Sequence, residues 1–332
     1  MILYPEYTNK NFNIVIANKK EFKDHSYLDY NKNLTSDNES ERRKMFTKYA
    51  NELCNTSFEL APHQYFVHNF LSITSPYNSI LLFHGLGTGK TCSAISIAEN
   101  MRFYNTSANV INKIIIVASP NVQENFKKEL FDINKLVEHG HGHFSSNGCT
   151  GNTYIKEVNP TNVNIKRETL IERINRIIHD NYRFIGYTKF ANEINKIMGE
   201  GSEEEQNENL RNYYDNRLVI IDEAHNIRTI DEQDKNATDA LNKLVTATRS
   251  MRLCLLSGTP MYNDIKEIIW LLNILNLNDN HDEIYTNEIF NAKGEIIAGG
   301  EEKLIDRMRG YISFVRGENP YTFPFKLYPH EF

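Results

Sequence analysis

The chain has 332 residues, of which 40% are hydrophobic and 24% charged, and its formal net charge is −6. This composition is that of a globular protein of one large or two modest domains, which excludes disordered and fibrous classes. No stretch approaches the ~18 uninterrupted apolar residues of a membrane span, and residues 1–12 lack the features of a secretory signal. The acidic balance counts mildly against a nucleic-acid binder. Much of the acid, however, lies in residues 199–209, which we interpret as a solvated loop.

The first third of the chain predicts an extension followed by a strand, a loop and a helix. Residues 1–55 are expected to pack partly on the core, with a flexible turn over 35–41. A helix should begin near Ala61 and Pro62, because proline suits a first helical turn. A strand over 79–84 and a helix over 89–103 then flank the sequence HGLGTGKT (84–91).

This glycine-rich segment has the pattern of a loop that binds phosphate groups. Its glycines allow backbone N–H groups to approach phosphate oxygens closely. Lys90 supplies positive charge for the β- and γ-phosphates, and the Thr91 hydroxyl can bind magnesium. The residues predicted to line the nucleotide are Gly85, Leu86, Gly87, Thr88, Gly89, Lys90, Thr91 and Cys92. The usual pattern has glycine where this chain has His84, but the flanking strand and helix argue against a chance turn.

The middle of the chain predicts further strand–helix units and an insertion. A strand over 114–119 and a helix over 121–131 precede residues 139–168, an insertion rich in Gly, Asn, Ser and His. A helix over 169–180 and a strand over 183–187 follow it. Zinc binding within the insertion is one possibility, because imidazole and thiolate suit that ion. Its ligands would be His139, His141, His143 and Cys149. The spacing and the glycines favour instead a mobile loop without metal.

The sequence LVIIDEAH (218–225) predicts a fully buried parallel strand over 217–222 that ends in carboxylates. The carboxyl end of such a strand is where an α/β sheet binds its ligand. We expect Asp222 to hold magnesium, directly or through water, and Glu223 to orient and deprotonate the attacking water. The alternative is an acidic strand end that merely caps a helix.

The remaining elements complete the predicted sheet. A helix over 235–249 leads to a strand over 252–256, which should lie next to the DEAH strand and runs into SGTP (257–260). Helices over 263–278 and 301–314 follow. Strands that alternate with helices imply a mostly parallel sheet with helices on both faces.

The cysteines lack close pairing along the sequence, which favours a reducing compartment. They are Cys54, Cys92, Cys149 and Cys254. We interpret Cys92 and Cys254 as thiols of the core.

The order of phosphate loop, DEAH and SGTP resembles the first RecA-like lobe of a superfamily-two DEAH-box helicase or translocase, in the Swi/Snf-like branch. The resemblance covers residues 58–275 and implies an α/β, RecA-like P-loop NTPase lobe with an N-terminal extension and a C-terminal helical segment. It implies three regions: an extension over 1–55, an ATP-binding helicase domain over 56–278, and a segment over 279–332 that leads to an absent second lobe.

The same resemblance implies roles for four further side chains. Gln64 would contact adenine, although it could instead be a surface glutamine of an amphipathic helix. Ser257 and Thr259 would couple the nucleotide state to nucleic-acid grip by hydrogen-bonding His225, which joins Lys90, Asp222 and Glu223 as a catalytic residue. SGTP could also be only a turn before a helix.

The implied function is that of a nucleic-acid-dependent ATPase that uses ATP and Mg²⁺, with duplex DNA favoured over RNA. The composition and residues 310–329 are similar to helicases of large cytoplasmic DNA viruses, of the poxvirus early transcription factor and nucleoside triphosphate phosphohydrolase type. This implies work in viral transcription, in the host cytoplasm and possibly the virion, beside an RNA polymerase or another transcription factor subunit. The alternatives are a partner-binding module that keeps the motor fold without turnover, and the motor subunit of a restriction system.

The chain lacks the Q-x-x-G-R-x-x-R segment of a second lobe. An arginine finger raises the rate of phosphoryl transfer by about 10³ to 10⁵. We therefore expect the N-terminal part of a longer protein, which binds ATP but hydrolyses it slowly by itself.

Overall fold

The structure of the chain, a computed structural model, describes residues 4–24, 38–55, 59–85, 87–110, 112–140, 142–228, 232–261 and 267–315. Its centre is a six-stranded sheet whose paired neighbours all run parallel, in the order β5-β2-β6-β7-β1-β8. The strands are β1 (Ser79–His84), β2 (Ile114–Val117), β5 (Tyr182–Ile185), β6 (Leu218–Ile221), β7 (Arg252–Ser257) and β8 (Ile312–Val315). A separate antiparallel hairpin is formed by β3 (Leu136–Glu138) and β4 (Phe144–Ser146).

The helices lie between and beside these strands. Before β1 they are α1 (Phe12–Ala17), α2 (Lys20–Lys23), α3 (Glu39–Asn55) and α4 (Pro62–Phe70). From β1 to β5 they are α5 (Lys90–Ser107), α6 (Pro120–Leu130), α7 (Thr153–Val158) and α8 (Arg167–Asn181). The remaining ones are α9 (Tyr187–Met198), α10 (Glu203–Tyr214), α11 (Glu232–Ala247), α12 (Glu267–Asn278) and α13 (Gly300–Met308). None of the described helices is long and apolar enough to cross a bilayer.

Alternate residues of the strands point to two different hydrophobic cores, because side chains alternate between the faces of a sheet. Leu81 and Ile221 face the core completed by α9, α10, α11 and α12. Leu82 and Ile220 face the core completed by α1, α2, α4, α5 and α6. The prediction of a mostly parallel sheet covered on both faces is therefore confirmed.

The N-terminal extension packs on the second core, as predicted. Phe12, Ile16 and Phe22 are buried there, and the Tyr77 hydroxyl donates a hydrogen bond of 2.7 Å to the carbonyl of Pro5. Residues 35–37 of the turn predicted over 35–41 lie outside the described residues, and its last three residues already belong to α3. Whether the chain divides near residues 55 and 278 stays a prediction.

The acidic segment 199–209 is not a solvated loop throughout, so that prediction is wrong. Helix α10 begins inside it, because Ser202 and Glu205 form a reciprocal capping box. The Ser202 hydroxyl accepts from the Glu205 N–H at 3.3 Å, and the Glu205 carboxylate accepts from the Ser202 N–H at 2.8 Å. The far end of the helix is held by the buried side chains of Leu210 and Tyr214.

The helix predicted over 301–314 is also wrong at its C-terminal end. Helix α13 ends at Met308, and Gly310 adopts φ +80°. A Cβ at Gly310 would lie 2.7 Å from the Tyr7 ring, so only glycine fits there. The residues after this turn form β8 and pair with β1.

The insertion predicted over 139–168 contains regular structure, and the mobile loop predicted within it, over 139–144, connects the two strands of the β3–β4 hairpin. The β3–β4 hairpin, α7 and the start of α8 enclose a small hydrophobic cluster of their own. Its buried members are Phe131, Leu136, Phe144, Tyr154, Ile155, Leu170 and Ile174. The glycines permit the hairpin turn, since Gly140 and Gly142 both have positive φ. Because this cluster already includes Phe131 and Leu136, and α8 begins at Arg167, the name insertion is used from here on for residues 131–166.

Candidate nucleotide site

Three motifs meet at the carboxyl ends of neighbouring strands. The phosphate loop follows β1, SGTP follows β7, and DEAH follows β6, with β7 paired to both of the others. The prediction that the SGTP strand lies next to the DEAH strand is confirmed. Because all three strands run parallel, their loops emerge at the same edge of the sheet, where α/β proteins bind ligands.

The phosphate loop adopts a conformation that depends on glycine. Gly87 and Gly89 have φ values of +77° and +76°, and Gly89 is the N-cap of α5. A Cβ at Gly89 would lie 2.5 Å from Gln64 Nε2. The Thr88 hydroxyl closes the loop by donating to the Gly85 carbonyl at 2.7 Å. The loop thus leads directly into the N-terminus of an 18-residue helix, whose free N–H groups and dipole favour an anion.

The predicted members of the loop fall at defined places, with one exception. Leu86 lies outside the described residues. Lys90, Thr91 and Cys92 form the first turn of α5.

Lys90 joins the phosphate loop to the DEAH segment through an ion pair. Its Nζ lies 2.9 Å from Glu223 Oε1, and the two side chains are 14% and 33% exposed. Glu223 has φ +44°, a left-handed conformation that costs a residue other than glycine about 1 kcal/mol or more. Its N–H donates to Asp222 Oδ1 at 2.9 Å. The chain therefore turns sharply after β6, and the two neighbouring carboxylates occupy different surroundings.

Asp222 is the more deeply buried of the two acids. Burial raises the pKa of this carboxyl, while the positive charge of Lys90 opposes the rise. Its backbone carbonyl accepts a 2.8 Å hydrogen bond from the hydroxyl of Tyr187, at the start of α9. Sequence reasoning missed Tyr187. The available signal was its place as the last residue of the strand predicted over 183–187, at the same edge of the sheet.

His225 links Glu223 to the SGTP segment. Its Nδ1 lies 3.0 Å from Ser257 Oγ and 3.4 Å from Glu223 Oε2. Thr259 contributes its backbone N–H, which donates to Ser257 Oγ at 3.1 Å, while its side chain is exposed. A Cβ at Gly258 would lie 3.7 Å from Lys90 Nζ, so this loop also passes beside the lysine.

Gln64 lies against the phosphate loop and is buried. Its Oε1 accepts from the Ala61 N–H at 2.8 Å, and its Nε2 donates to the Gly89 carbonyl at 3.1 Å. Both ends of the amide are therefore engaged within the chain. Each end keeps one further hydrogen-bonding position, and an adenine contact stays a prediction. The neighbouring His63, which the sequence did not single out, bonds the Thr88 carbonyl through Nε2 at 2.9 Å.

His84, where the usual pattern has glycine, is fully buried between β1 and β8. Its Nε2 lies 2.9 Å from Ser313 Oγ. Burial, with smaller contributions from His63 and Lys90, lowers the pKa of His84 to about 3. The ring is therefore neutral at physiological pH. The role of Ser313 could not be foreseen, because its segment was predicted to be helical.

Two cysteines differ from their predicted state. Cys92 and Cys149 form a disulfide, so the interpretation of Cys92 as a core thiol is wrong. Cys254 is a buried free thiol, as predicted. The group in the described part of the chain that could hold a metal ion combines these two cysteines with Glu129. Of the histidines proposed beside Cys149, His139 and His143 do not belong to it: His139 bonds Ser145 Oγ through Nε2 at 2.6 Å, and His143 is exposed. His141 lies outside the described residues.

The site fits a magnesium–triphosphate group. The glycine-rich loop leads into the N-terminus of α5, whose first N–H groups can bind an anion, and the Lys90 ammonium lies beside this loop. A buried carboxylate of raised pKa gains from a divalent cation that compensates its charge.

The parallel sheet and the motifs at its edge define a RecA-like P-loop NTPase fold. Residues 27–315 match the SNF2-related domain family. The chain belongs to this family.

Several viral proteins are similar to this chain. An Acanthamoeba polyphaga mimivirus protein, L377, provisionally named an ATP-dependent RNA helicase, is 28% identical over 96% of the chain and 28% of its own length. A Frog virus 3 protein, 009L, provisionally named a helicase, is 28% identical over 78% of the chain and 24% of its own length. An African swine fever virus protein named termination factor NPH-I homolog is 25% identical over 76% of the chain and 30% of its own length.

The chain thus spans 24% to 30% of the length of these three relatives. Among solved structures, the SWI2/SNF2 ATPase core of Sulfolobus solfataricus in complex with double-stranded DNA has a TM-score of 0.45 and 16% identity. That likeness covers 79% of this chain and 45% of the other.

Proposed function

We propose that the chain is the ATP-binding lobe of a nucleic-acid-dependent ATPase of the helicase or translocase type, acting in viral transcription. The proposal rests on one observation above all: Lys90 Nζ lies 2.9 Å from Glu223 Oε1. This contact unites the phosphate loop with the acidic end of β6, and a phosphoryl-transfer site needs both together. Membership of the SNF2-related domain family supports it.

When nucleotide binds, Lys90 leaves Glu223 and binds phosphate oxygens instead. A triphosphate offers Lys90 a more strongly charged acceptor than a carboxylate, so the ammonium turns to the β- and γ-phosphates. Glu223 is thereby released and can take the proton of the attacking water. Thr91 and Asp222 would hold Mg²⁺, which neutralises charge on the phosphate oxygens. N–H groups of the loop and of the first turn of α5 bind the remaining oxygens.

Ser257 and His225 carry the coupling between the SGTP loop and the catalytic base. One ring nitrogen lies within reach of both Ser257 Oγ and Glu223 Oε2, at 3.0 and 3.4 Å. A proton on Nδ1 is donated to one of the two at a time. A shift of the SGTP loop therefore changes which oxygen His225 binds and alters the orientation of Glu223. Thr259 helps to fix Ser257 through its backbone N–H.

The partner in this proposal is nucleic acid, with duplex DNA favoured over RNA, and a viral RNA polymerase or transcription factor subunit as the protein partner. The name of the African swine fever virus relative, a termination factor homolog, supports a place in transcription. Hydrolysis by this chain alone is proposed to be slow, because its sequence lacks the Q-x-x-G-R-x-x-R segment.

The nucleotide roles are tested by two substitutions and a matched control. We expect Lys90→Ala to abolish Mg·ATP binding, measured by titration calorimetry, because the phosphates lose their principal cation. Glu223→Gln should retain binding and stop hydrolysis. The control is Lys303→Ala, which removes a lysine from an exposed pair with Glu288 and should change neither quantity. Unimpaired Mg·ATP binding by Lys90→Ala would contradict the assignment of the phosphate loop.

The polymer role is tested by steady-state ATP hydrolysis without polymer and with single-stranded DNA, duplex DNA or RNA. We expect duplex DNA to stimulate hydrolysis most, and Ser257→Ala to reduce this stimulation more than the basal rate. A chain that binds ATP but responds to none of the polymers would point instead to a partner-binding module that keeps the motor fold.

A further inference from the structure

A pair of cysteines connects the phosphate-loop helix to the insertion. Cys92 is the third residue of α5 and directly follows Thr91. Cys149 lies after β4, 57 residues further on, and the two Cα atoms are 5.3 Å apart. This separation lies within the ordinary range for a disulfide. The two sulfurs are therefore placed to form a bond without displacement of either backbone.

The surroundings of the pair also suit the reduced state. Cys149 Sγ lies 3.0 Å from Glu129 Oε2, on α6. A thiol donates its S–H to that carboxylate, whereas a disulfide sulfur has no proton to donate. Cys149 is buried, while Cys92 is partly exposed and accessible to a small reagent. The site thus provides a bonding partner for Cys149 in both redox states.

Cys254 provides an internal contrast. It is fully buried in β7, and burial raises the pKa of its thiol. A buried thiol in apolar surroundings is chemically inert. Redox reactivity is therefore expected at the pair and not at Cys254.

The disulfide joins the insertion to α5 nearer the phosphate loop than the polar contacts of Glu99 and Arg102 do. The Tyr154 hydroxyl donates to Glu99 Oε1 at 2.6 Å, and Arg102 pairs with Glu157 at 2.9 Å. Positions 92, 99 and 102 lie along one side of the helix, because seven residues complete about two turns. Reduction leaves the two distant contacts in place and releases only the end at the phosphate loop.

We propose that Cys92 and Cys149 are a reversible dithiol–disulfide site, and that the disulfide increases the affinity of the phosphate loop for Mg·ATP. The second half of this inference rests on the proposed ATP-binding function. The physical reason is that the disulfide restricts the motion of the first turn of α5 before nucleotide binds. A first helical turn held from outside has less freedom to lose when its N–H groups close on phosphate.

The reaction needs a two-electron oxidant, and a low-molecular-weight disulfide such as oxidised glutathione supplies it. The Cys92 thiol loses its proton to solvent, and its sulfur attacks oxidised glutathione, releasing one glutathione thiolate and forming a mixed disulfide. The Cys149 thiol gives its proton to Glu129, and its sulfur then attacks Cys92 Sγ and releases the second glutathione. Two protein thiols and one oxidised glutathione thus become one protein disulfide and two reduced glutathiones.

Reversible formation of the Cys92–Cys149 disulfide is tested by peptide mapping of the 332-residue chain after incubation with oxidised or reduced glutathione. Remaining thiols are alkylated before trypsin digestion. Cleavage after Lys90, Arg102, Lys135 and Lys156 places the two cysteines in fragments 91–102 and 136–156. We expect these fragments to be linked after oxidation, separate and alkylated after reduction, and linked again on reoxidation. Two alkylated thiols after oxidation would overturn the proposal. So would stoichiometric zinc in the isolated protein with both thiols protected, measured by mass spectrometry of the metal.

The functional half is tested by Mg·ATP titration of the same two samples. We expect reduction to weaken binding by about threefold to tenfold, the effect of ordering one or two additional groups. Cys149→Ser should bind equally under both conditions, at the affinity of the reduced wild type. Cys254→Ala should keep the full difference. Equal affinities of linked and reduced wild type would overturn the regulatory role.

Failure of the proposed ATP-binding function is distinguishable from failure of the redox site. In that case neither sample binds Mg·ATP, while the linked fragments still form and separate with the glutathione state.

Discussion

In the proposed function, the ion pair between Lys90 and Glu223 competes with nucleotide for the same ammonium. Phosphate oxygens bound to Lys90 would face the Glu223 carboxylate, whose Oε1 lies 2.9 Å from Lys90 Nζ, and the two anions would repel each other. Substitution of Glu223 by glutamine removes the competing charge but keeps the size of the side chain. We therefore predict that Glu223→Gln binds Mg·ATP more tightly than the wild-type chain, in addition to its loss of hydrolysis.

The size of the effect follows from the exposure of the pair. Hydrogen bonds to charged groups contribute about 1.5–3 kcal/mol when buried, and exposed pairs contribute about 0.2–1 kcal/mol. Because the Glu223 side chain is 33% exposed and that of Lys90 is 14% exposed, an intermediate value applies. About 1 kcal/mol corresponds to roughly a fivefold decrease in Kd.

Titration calorimetry with a slowly hydrolysed ATP analogue and Mg²⁺ measures this difference directly, because it removes turnover from the comparison. The control is Glu288→Gln, which removes the same charge from a surface pair outside the three motifs and should leave Kd unchanged. A Glu223→Gln variant whose Kd equals that of the wild type within twofold, or exceeds it, would refute the competition.

Three further substitutions and one control substitution test the surrounding structure by urea unfolding. Arg102→Met should lower the free energy of unfolding by about 3–5 kcal/mol, because it leaves the buried Glu99 carboxylate without its cation. Its control, Arg43→Met in an exposed pair, should lower it by less than about 1 kcal/mol. Gly310→Ala should cost about 2 kcal/mol through its positive φ and the clash of the new Cβ, and an unchanged midpoint would contradict this account of the turn. The pKa of His84 is about 3 in the folded chain and 6.5 in the unfolded chain. Between these two pH values the unfolded chain binds one more proton than the folded chain does. The free energy of unfolding therefore falls as the pH drops from 6.5 to 3, by at most about 1.4 kcal/mol per pH unit. His84→Asn should flatten that slope, and an equally steep slope in the variant would show that other groups cause it.

The central strands could be predicted because their sequences carry enough local information. Leu218–Ile221 is apolar at every position and ends in two acids, so both its burial and the edge at which it ends follow from the sequence. The strand Ser79–His84 could also be predicted, and its bounds agree with the predicted strand over 79–84. Parallel neighbours then bring the motifs to one edge, whatever the details of the helices between them.

What could not be predicted depends on contacts between distant parts of the chain. Ile312–Val315 becomes a strand because the edge of β1 is available to it, which its own sequence does not reveal. The Cys92–Cys149 pair spans 57 residues and follows no recognisable spacing. Helix α10 is different, since the capping box of Ser202 and Glu205 was visible in the sequence and was outweighed by the acidic composition.

The departure of the phosphate loop from its usual pattern now has a physical explanation. The residue in place of the first glycine, His84, does not crowd the phosphate cradle, because its ring is buried on the β8 side and bonds Ser313 at 2.9 Å. A glycine could not make this contact. The hydrogen bond attaches the beginning of the phosphate loop to β8, and the contacts of His225 with Ser257 and Glu223 attach the DEAH segment to β7. A displacement of β8 would therefore act on the phosphate loop, and a displacement of β7 would act on Glu223, which pairs with Lys90.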